Sequence, residues 1–457
     1  MYFDDDNLIV LTDSYKGTQY PQYPKDTTNI CSYQESRGGL FEEITPFGLS
    51  AILKRYLTKP ITRENILEAL DFFLEHFGSD RIFNLKGWTH ILSAHGGYLP
   101  LRIKAVPEGT TVPVKNVIMT VENTCPECYW VTNYMETLLS QTWYPTTVCT
   151  YSRECKKTIL RYLTETGTPE EIEFKLVDFG VRGTSSMDSA MIGGCAHLVN
   201  FKSSDNMPSI MFARKYYGER MAAFGIPASE HSTITSWTQE GEVDAYSNMI
   251  DKFGDQPLYA CVSDSYDIKR ACSEYWGNEL KEKVKNAKGT LLVRPDSGTP
   301  DVVDLDCMER LGAAFGVHVN SKGYKLLNKV KIIQGDGVDY FSIRKVLETL
   351  KSNGWSADNI SFGMGGNLLQ NMNRDTQSFA IKCSSAVVGG GQRDVYKSPA
   401  DGSKTSKKGR LGLYPDAKKK FVTREEGRAG DVLEVVYENG ELFHMPNLAE
   451  IRERAAV

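Results

Sequence analysis

Charged side chains follow several apolar segments in the middle of the chain, at the points where strands should end. Arg294 and Asp296 follow one such segment in RPDSG, and Asp264 follows another in VSDSYD. An arginine can pair with a phosphate through two parallel hydrogen bonds. A carboxylate can accept hydrogen bonds from ribose hydroxyls or hold Mg²⁺ through water. These residue types together suit a sugar phosphate that is bound with Mg²⁺.

Two glycine clusters, Gly335–Gly337 and Gly363–Gly366, follow two further apolar segments. Without a Cβ atom, a turn lets backbone N–H groups approach phosphate oxygens closely. A tight strand-to-helix turn would explain either cluster taken alone. Two clusters at successive strand ends, with Arg374 shortly after the second, favour a phosphate-binding site.

An aromatic, an acidic and an imidazole side chain occupy other loops of this kind. Phe179 and Arg182 in DFGVRG can stack on a flat ring and bind a phosphate beside it. Asp205 in FKSSDN can accept a hydrogen bond from a ligand amide. His231 in SEHST stands next to Glu230, whose carboxylate can fix the tautomer of the imidazole. Each residue alone has a structural explanation, so only the set indicates a site.

The elements that must position these residues are short strands that alternate with segments long enough for helices. This alternation predicts a parallel sheet covered by helices. Polar residues at the carboxyl ends of strands are typical of a closed α/β barrel, and also of an open doubly wound sheet. We favour a TIM-like α/β barrel, because an open sheet would use fewer strand ends. The six segments are 174–180, 197–205, 259–265, 290–298, 331–337 and 360–366.

The two ends of the chain differ from this regular middle. Helical periodicity covers 46–58 and 62–78, with Thr62 as an N-cap, and a helix over about 133–167 should be interrupted at Pro145. Strands are expected within 100–122 and in the C-terminal part. The sequence therefore predicts a barrel domain over 146–385 and a β-rich second domain built from 1–145 and 386–457.

Composition limits the class of partner. With 53 basic and 58 acidic residues the formal net charge is −5, which argues against nucleic acid. The basic stretch Lys404–Arg410 is better interpreted as a solvated turn. No run of about 18 apolar residues predicts a membrane span, and the acidic start lacks the pattern of a secretory signal. We therefore expect a cytoplasmic protein.

Ten cysteines are scattered along the chain without the spacing of a disulfide framework, so reduced thiols are expected. Cys125 and Cys128 form a C-x-x-C motif, but no second cysteine pair lies at a zinc-ribbon distance. We interpret the two as packing residues. No metal bound directly by protein ligands is predicted.

Taken in order, these segments resemble the nicotinamide phosphoribosyltransferase family of type II phosphoribosyltransferases. The resemblance runs nearly from end to end, and it implies a pentosyltransferase of NAD salvage that acts as a homodimer with shared active sites. Such an enzyme transfers the 5-phosphoribosyl group of phosphoribosyl pyrophosphate to nicotinamide, with Mg²⁺, and couples ATP hydrolysis to the transfer. The motifs are LTDSYKGTQYP, DFGVRGTSS, HLVNFKSSD, IPASEHSTIT, VSDSYDI, RPDSG, SKGYKLL, IQGDGVD, FGMGGNLLQ and SKKGRLGL.

The resemblance also implies roles for single residues. Phe179 resembles the aromatic that stacks on nicotinamide, and Tyr15 the one that covers the other face from the partner subunit. Asp205 resembles the carboxylate that binds the carboxamide, and His231 the histidine that ATP phosphorylates. With His231, we assign catalytic roles to Asp264, Arg294 and Asp296. Implied contacts are Arg182, Arg294 and Asp296 for the nucleotide; Gly335, Asp336, Gly365, Gly366 and Arg374 for ribose and 5′-phosphate; and Arg37, Lys382 and Lys397 for pyrophosphate or ATP across the dimer.

The sequence departs from the family pattern in three places. The loop after Arg37 is about ten residues shorter than in vertebrate members, as in bacterial or phage-encoded forms. Val181 replaces a tyrosine, and Cys125 also differs, which argues further against a family metal site there. No proposed catalytic group is lost, although a shorter loop can alter the coupling to ATP.

Three alternatives stay open at this stage. Nicotinate phosphoribosyltransferase is the first, and Asp205 argues against it. A barrel aldolase or isomerase acting on a sugar phosphate would need a base or a Schiff-base lysine at a strand end, and Lys202 is the nearest candidate. A dimeric binding protein that has kept only the fold is the third, and the intact set of charged and aromatic residues argues against it.

Overall fold

The structure is a computed structural model that describes residues 6–400, 405–418 and 420–457. Lys404, the first residue of the basic stretch, lies outside the described residues. The chain forms two compact units. The first contains the described residues of Met1–Thr150, Lys215–Gly218 and Met372–Ala456, and the second contains Tyr151–Arg214, Glu219–Asn371 and the terminal Val457.

Strands occur in both units. In chain order they are β1 (Thr27–Ser36), β2 (Glu43–Ile44), β3 (Leu101–Ala105), β4 (Val112–Pro113), β5 (Val117–Asn123), β6 (Leu176–Asp178), β7 (Leu258–Val262), β8 (Thr290–Arg294), β9 (Val317–Val319), β10 (Lys325–Leu327), β11 (Val330–Gln334), β12 (Ile360–Met364), β13 (Phe379–Val388), β14 (Gly391–Asp394), β15 (Leu411–Pro415), β16 (Phe421–Glu425), β17 (Glu434–Glu438) and β18 (Glu441–Leu442).

The α-helices, in chain order, are α1 (Leu49–Ile52), α2 (Arg63–Phe77), α3 (Leu85–His95), α4 (Val131–Tyr134), α5 (Glu136–Ser140), α6 (Trp143–Thr166), α7 (Met187–His197), α8 (Met207–Tyr217), α9 (His231–Thr235), α10 (Glu242–Phe253), α11 (Ile268–Arg270), α12 (Lys281–Asn286), α13 (Pro300–Phe315), α14 (Tyr340–Ser352), α15 (Gly366–Leu369) and α16 (Leu448–Arg454). Two π-helical segments, Leu53–Leu57 and Ala271–Glu279, continue α1 and α11. None of the helices in the described ranges has both the length and the apolar character needed to cross a bilayer.

A five-stranded sheet with the order β6-β12-β11-β8-β7 forms the centre of the second unit, and every neighbouring pair is parallel. Its strands are apolar on both faces; Leu291, Val293 and Ile332 have no exposed surface. Parallel strands need crossover connections, and α13 and α14 supply two of them. The predicted parallel sheet with intervening helices is confirmed.

Isolated parallel bridges extend this sheet beyond both edges. Ser204 bridges to Asp178 of β6, Ser203 bridges to Phe224, and Ala228 bridges to Ala260 of β7. The hydrogen-bonded strands therefore form a half-barrel, and a complete TIM barrel is not established by the described residues.

One predicted strand is wrong. Residues 197–202 do not form a strand, because the N–H groups of Asn200 and Phe201 donate to the carbonyl of His197 at 2.9 and 3.2 Å. These bonds close the C-terminal turn of α7 and leave the segment with only the isolated bridges. The apolar run HLVNF belongs instead to a helix end that packs into the core.

The first unit contains a seven-stranded sheet with the order β14-β13-β1-β5-β3-β17-β18. Its pairs are antiparallel, and β1 lies between β13 and β5 with Tyr33 opposite both Lys382 and Thr120. Tyr33, Val117 and Leu413 are fully buried in a cluster on this sheet. Strands from both ends of the chain therefore build one sheet.

Helix boundaries follow local sequence signals at two places. The Thr62 hydroxyl accepts a hydrogen bond from the N–H of Asn65 at 3.2 Å, which confirms Thr62 as the N-cap of α2. The predicted interruption near Pro145 is confirmed, because α5 ends at Ser140 and α6 begins at Trp143, so that Pro145 falls in the first turn of α6. The N–H that proline lacks has no intrahelical acceptor there, so the helix continues.

His197 ties the start of β6 to α6. Its Nδ1 lies 2.8 Å from the Ser152 hydroxyl, and its Nε2 lies 3.2 Å from the carbonyl oxygen of Leu176. The ring stacks on Phe201 with 5.1 Å between centroids. Burial lowers the pKa of His197 to about 4, although the bond to the Leu176 carbonyl opposes this shift. The folded protein therefore holds the imidazole in its neutral form.

This buried imidazole predicts a loss of stability in mild acid. In the unfolded chain the histidine protonates below a pKa of about 6.5, so the unfolded state binds more protons between about pH 4 and 6.5. Stability from the neutral ring is present above that window and decreases as the pH falls. We expect urea unfolding to show that wild type loses about 2 kcal/mol more than His197→Asn between pH 7 and 5. The exposed His76→Asn is the control, and an equal loss in wild type and His197→Asn would contradict the assignment.

Candidate active site

The carboxyl ends of the five parallel strands lie on one edge of the second unit's sheet, because all five run in the same direction. The loops that leave this edge carry most of the predicted site residues. In strand order from one edge of the sheet they are Phe179 after β6, Gly365 after β12, Gly335 after β11, Arg294 and Asp296 at the end of β8, and Asp264 after β7.

Arg294 joins an aromatic ring to a carboxylate. Its guanidinium lies over the ring of Phe179, 5.4 Å from the centroid, and its Nη2 and Nε donate to Oδ1 of Asp296 at 2.7 and 3.1 Å. The side chains of Arg294 and Asp296 are only 15% and 18% exposed. A charge pair shielded to this degree is stronger than a surface pair. The arrangement holds a flat ring, a cation and an anion within one small area.

Two glycines make room for this group. A Cβ at Gly335 would lie 2.9 Å from Nε of Arg294 and 3.0 Å from Oδ1 of Asp296. A Cβ at Gly363 would overlap the ring of Phe179. Gly366 has no atom within 4 Å of its Cβ position, so it borders open space. Gly335 and Gly363 therefore let the backbone pack closely against the charged pair and against Phe179. Gly366 instead borders space without protein atoms.

His231 connects to the same group through a second carboxylate. Nε2 of His231 lies 3.0 Å from Oδ1 of Asp264, and Nδ1 lies 3.8 Å from Oδ2 of Asp296. The backbone N–H of Asp296 donates to Oδ2 of Asp264 at 3.1 Å. Asp264 is 4% exposed, whereas the imidazole is 46% exposed. A buried carboxylate therefore orients a ring that solvent can reach.

The expected role of Glu230 needs correction. Glu230 precedes α9 and accepts a hydrogen bond from the hydroxyl of Ser232. It does not contact the imidazole of its neighbour, because adjacent residues at a helix start point in different directions. Asp264, 33 positions along the chain, is the carboxylate that bonds to His231.

Asp205 lies beyond the edge strand β6, next to Asp178 at the end of that strand. The N–H of Asp205 donates to the carbonyl of Asp178 at 3.1 Å. Asp205 reaches solvent at its surface, yet the protein atoms around it are dense enough that desolvation raises its pKa, while Arg294 lowers it. Its carboxylate thus lies within the electrostatic influence of Arg294, and Gly225 leaves 3.8 Å between its Cβ position and Oδ1 of Asp205.

Other predicted residues of the second unit are more exposed to solvent. Arg182 is exposed on the short 3₁₀ turn Val181–Gly183, and Asp336 is exposed in the loop after β11.

Lys202, the candidate for a Schiff base, forms an ion pair with Glu173 at 2.8 Å. An amine engaged by a carboxylate is not free to attack a carbonyl carbon, which argues against the aldolase alternative.

The remaining predicted residues belong to the first unit. Burial lowers the pKa of Lys382, the charge of Glu136 raises it, and Arg37, Arg374 and Lys16 lower it further. Lys382, Arg37 and Arg374 therefore form one basic group. Tyr15 is 55% exposed with the ammonium of Lys16 5.4 Å from its ring centroid.

Lys397 is positioned by a loop rather than by a strand. Its N–H donates to the Ser406 hydroxyl at 2.9 Å, and its carbonyl accepts from the Ser406 N–H at 2.9 Å. It is exposed.

Comparison with known proteins identifies the family. Residues 174–441 match the nicotinate phosphoribosyltransferase (NAPRTase) family, and residues 7–103 match the nicotinamide phosphoribosyltransferase N-terminal domain. The chain belongs to the nicotinate phosphoribosyltransferase family. The resemblance seen in the sequence motifs, and the prediction of an enzyme of this family, are thereby confirmed.

Relatives within the family align with nearly the whole chain. A nicotinamide phosphoribosyltransferase of Xanthomonas campestris pv. campestris is 46% identical over 98% of this chain and 98% of its own length. One from Acinetobacter baylyi is 29% identical over 98% of this chain and 97% of its own length. These relatives are bacterial, in agreement with the short loop after Arg37.

Solved structures show the family fold. A nicotinate-nucleotide pyrophosphorylase from Pyrococcus furiosus aligns with a TM-score of 0.62 at 15% identity, over 99% of this chain and 96% of its own. Human nicotinic acid phosphoribosyltransferase aligns with a TM-score of 0.59 at 15% identity, over 98% and 93%. At this identity the likeness concerns the mixed α/β fold with its parallel sheet.

A buried residue that positions loops of the candidate site was missed in the sequence analysis. Asp178, the last residue of β6, is fully buried and accepts from the Gly180 N–H at 2.7 Å and the Asn206 amide at 2.8 Å. Burial raises the pKa of Asp178 to about 6, while these two hydrogen bonds lower it. The available signal in the sequence was a carboxylate at the end of a buried strand, directly before the Phe-Gly dipeptide.

The first unit contains a similar unpredicted pair. Glu35 of β1 is 4% exposed and pairs with the ammonium of Lys407, and its Oε1 lies 3.5 Å from Nε of Arg37. Lys407 also donates its N–H to the Tyr33 hydroxyl at 2.8 Å. The side chain of Arg37 is thus held by a buried carboxylate, which nothing in the local sequence revealed.

Removing the Asp178 carboxylate should loosen both loops that it holds. In Asp178→Ala the Gly180 N–H loses its acceptor and the Asn206 amide keeps only the Ala190 carbonyl, and an unmade buried hydrogen bond costs about 1–3 kcal/mol. We expect urea unfolding to show a loss of roughly 2–4 kcal/mol for this family member. Asp255→Asn, at an exposed pair with Lys288, should cost less than about 0.5 kcal/mol. Equal stability of Asp178→Ala and wild type would contradict the positioning role.

Proposed function

We propose that this protein transfers the 5-phosphoribosyl group from phosphoribosyl pyrophosphate to nicotinamide, and forms nicotinamide mononucleotide and pyrophosphate in NAD salvage. The observation that carries the proposal is the group formed by Phe179, Arg294 and Asp296. Family membership and the near full-length match to bacterial nicotinamide phosphoribosyltransferases support it. The proposal includes a closed barrel for the second unit and a cytoplasmic homodimer.

The nicotinamide ring stacks on Phe179 in this proposal. The aromatic face beside Arg294 suits a flat heteroaromatic ring with a phosphate near it. Tyr15, exposed on its own unit, covers the other face from the partner subunit, as the resemblance implies. Two rings fix the direction from which the pyridine nitrogen approaches the sugar, which is a positioning effect.

The reaction separates charge at the anomeric carbon. The bond to pyrophosphate breaks as the bond from the pyridine nitrogen forms, through a state with positive charge on the sugar. Asp296 and Asp264 lie where carboxylates can stabilise that charge, and Arg294 can stabilise the departing pyrophosphate. No general base is required, since the pyridine nitrogen carries no proton. Asp336, Gly335, Gly365, Gly366, Arg182 and Arg374 are assigned to ribose and 5′-phosphate.

Mg²⁺ fits the donor set as a hydrated ion carried by the substrate. Oδ1 of Asp296 already accepts two hydrogen bonds from Arg294, so Oδ2 is the oxygen that can reach a bound water. Asp264 uses both its oxygens on His231 and on a backbone N–H. Mg²⁺ would neutralise the pyrophosphate oxygens, and its usual retention of several waters agrees with so few carboxylate ligands.

Selectivity for the amide rests on Asp205. A carboxylate accepts a hydrogen bond from the N–H₂ group of nicotinamide, whereas nicotinate would place a second carboxylate against it. Opposed or unpaired buried polar groups should disfavour nicotinate relative to nicotinamide by roughly 2–4 kcal/mol, or about 30- to 1,000-fold.

The first experiment measures mononucleotide formation from nicotinamide and from nicotinate, each with phosphoribosyl pyrophosphate and Mg²⁺, for wild type, Asp205→Asn and Asp251→Asn. Wild type should use nicotinamide and discriminate against nicotinate, Asp205→Asn should lose most of that discrimination, and the exposed Asp251→Asn should match wild type. Use of nicotinate by wild type would assign the sister activity. No turnover of either substrate by the folded protein would overturn the proposal.

His231 is assigned to coupling with ATP. Its Nε2–H donates to Asp264, so the neutral ring carries its lone pair on Nδ1, which is the nucleophile. Attack on the γ-phosphorus forms the P–N bond, breaks the bond to the bridging oxygen and releases ADP. The positive charge that develops on the ring lies next to Asp264, and water later hydrolyses the phosphohistidine. The basic residues Arg37, Lys382 and Lys397 are assigned to the phosphates of ATP or pyrophosphate.

Replacement of His231 separates the two activities. His231→Ala should lose stimulation by ATP and the ³²P label that [γ-³²P]ATP leaves on wild type, and should keep part of the transfer made without ATP. The physical reason is that the ring and sugar contacts are assigned to Phe179, Asp205 and Arg294. His76→Ala, at an exposed histidine, is the control. Labelling of His231→Ala at the wild-type level would rule out this histidine.

A further inference from the structure

The first unit contains two histidines and two cysteines that none of the roles above uses. One ligand atom from each of His90, His95, Cys125 and Cys128 lies within 4.8 Å of the other three. Both histidines are on α3. Cys125 precedes the 3₁₀ turn Pro126–Cys128, which follows β5, and Cys128 is the last residue of that turn. Four groups of the types that bind zinc therefore converge from two separate segments of the chain.

The distances suit a tetrahedral ion. Sγ of Cys125 lies 3.5 Å from Nε2 of His90. Zinc stands about 2.3 Å from a thiolate and about 2.0–2.1 Å from an imidazole nitrogen, and a regular tetrahedron with these bonds places sulfur and nitrogen roughly 3.5 Å apart. The rings of His90 and His95 are inclined at 72°, so they do not stack face to face. Each ring can then direct a nitrogen to a common centre.

The spacing within each pair is also that of zinc ligands. The N–H of Cys128 donates to the carbonyl of Cys125 at 3.0 Å and closes a tight C-x-x-C turn. The histidines follow an H-x-x-x-x-H pattern, within the range of three to five intervening residues found in zinc sites. A second cysteine pair is therefore not needed to complete a four-ligand set.

Burial supplies an independent observation. Nε2 of His95 is buried and has no hydrogen-bond partner among the described residues. Cys128 is fully buried and Cys125 is 8% exposed. A buried polar atom without a partner costs about 1–3 kcal/mol, and a metal ion would satisfy it. The Cys125 thiol donates to Oε2 of Glu127 at 3.1 Å, so a proton acceptor stands beside it.

We propose that His90, His95, Cys125 and Cys128 bind one Zn²⁺ ion in a structural site. Two thiolates and two imidazoles form the soft, tetrahedral set that selects zinc over Mg²⁺. Binding forms two Zn–S and two Zn–N bonds and releases two protons, one from each thiol. Four protein ligands leave no open position for a substrate, so the ion links α3 to the turn after β5 rather than taking part in catalysis.

The test measures metal in the full-length protein, with its affinity tag removed, after expression in zinc-supplemented medium. Mass spectrometry of the metal content should find about one zinc per chain in wild type. His95→Asn and Cys128→Ser should lose it. Glu127→Gln, next to the site but not a ligand, and Cys31→Ser, at a buried cysteine of β1, should keep it.

Cobalt substitution of the wild-type protein identifies the ligands without relying on the folding of a variant. Zinc-stripped protein incubated with Co²⁺ should show the visible absorption of a tetrahedral ion and the near-ultraviolet band of thiolate-to-cobalt charge transfer. Stripping should also lower the melting temperature, and zinc should restore it. Wild type without zinc above the buffer level and without the thiolate band would overturn the site, and so would zinc that persists in both ligand variants.

Discussion

The ion pair between Arg294 and Asp296 is the interaction on which the rest of the candidate active site depends. Arg294 places its guanidinium over Phe179, and the backbone of Asp296 holds Asp264, which in turn orients His231. Charges this poorly exposed to water are tolerated only when they are paired and hydrogen-bonded. The need to satisfy them therefore fixes the aromatic ring and the imidazole in one arrangement, at the carboxyl ends of three strands.

Close approach of backbone is the second constraint. The Arg294–Asp296 pair fits only because Gly335 lacks a side chain, and Phe179 fits only because Gly363 lacks one. These glycines are required by packing against particular side chains, and their φ angles lie outside the left-handed region. Within the glycine clusters that suggested phosphate binding, Gly335 and Gly363 therefore serve packing. The Cβ position of Gly366, in contrast, has no atom within 4 Å.

Prediction succeeded where a feature is local and failed where distant atoms decide. Strands β7, β8, β11 and β12 are predicted from the sequence because short apolar runs end there in polar turns. The run HLVNF met the same criterion, yet its N–H groups complete α7, because an apolar run packs equally well as a helix end. The break between α5 and α6 falls just before Pro145, because a proline fits the first turn of a helix and not its interior.

By itself the sequence determined the family, the alternation of strands and helices, and the chemical types of most site residues, because these depend on residue identity and short spacing. Only the tertiary structure decided which groups meet. His231 bonds to Asp264 and not to its neighbour Glu230, and the two zinc-type pairs at 90–95 and 125–128 come together. Such contacts are set by the register of packed strands and helices, which brings together residues about 30 positions apart and which no local pattern encodes.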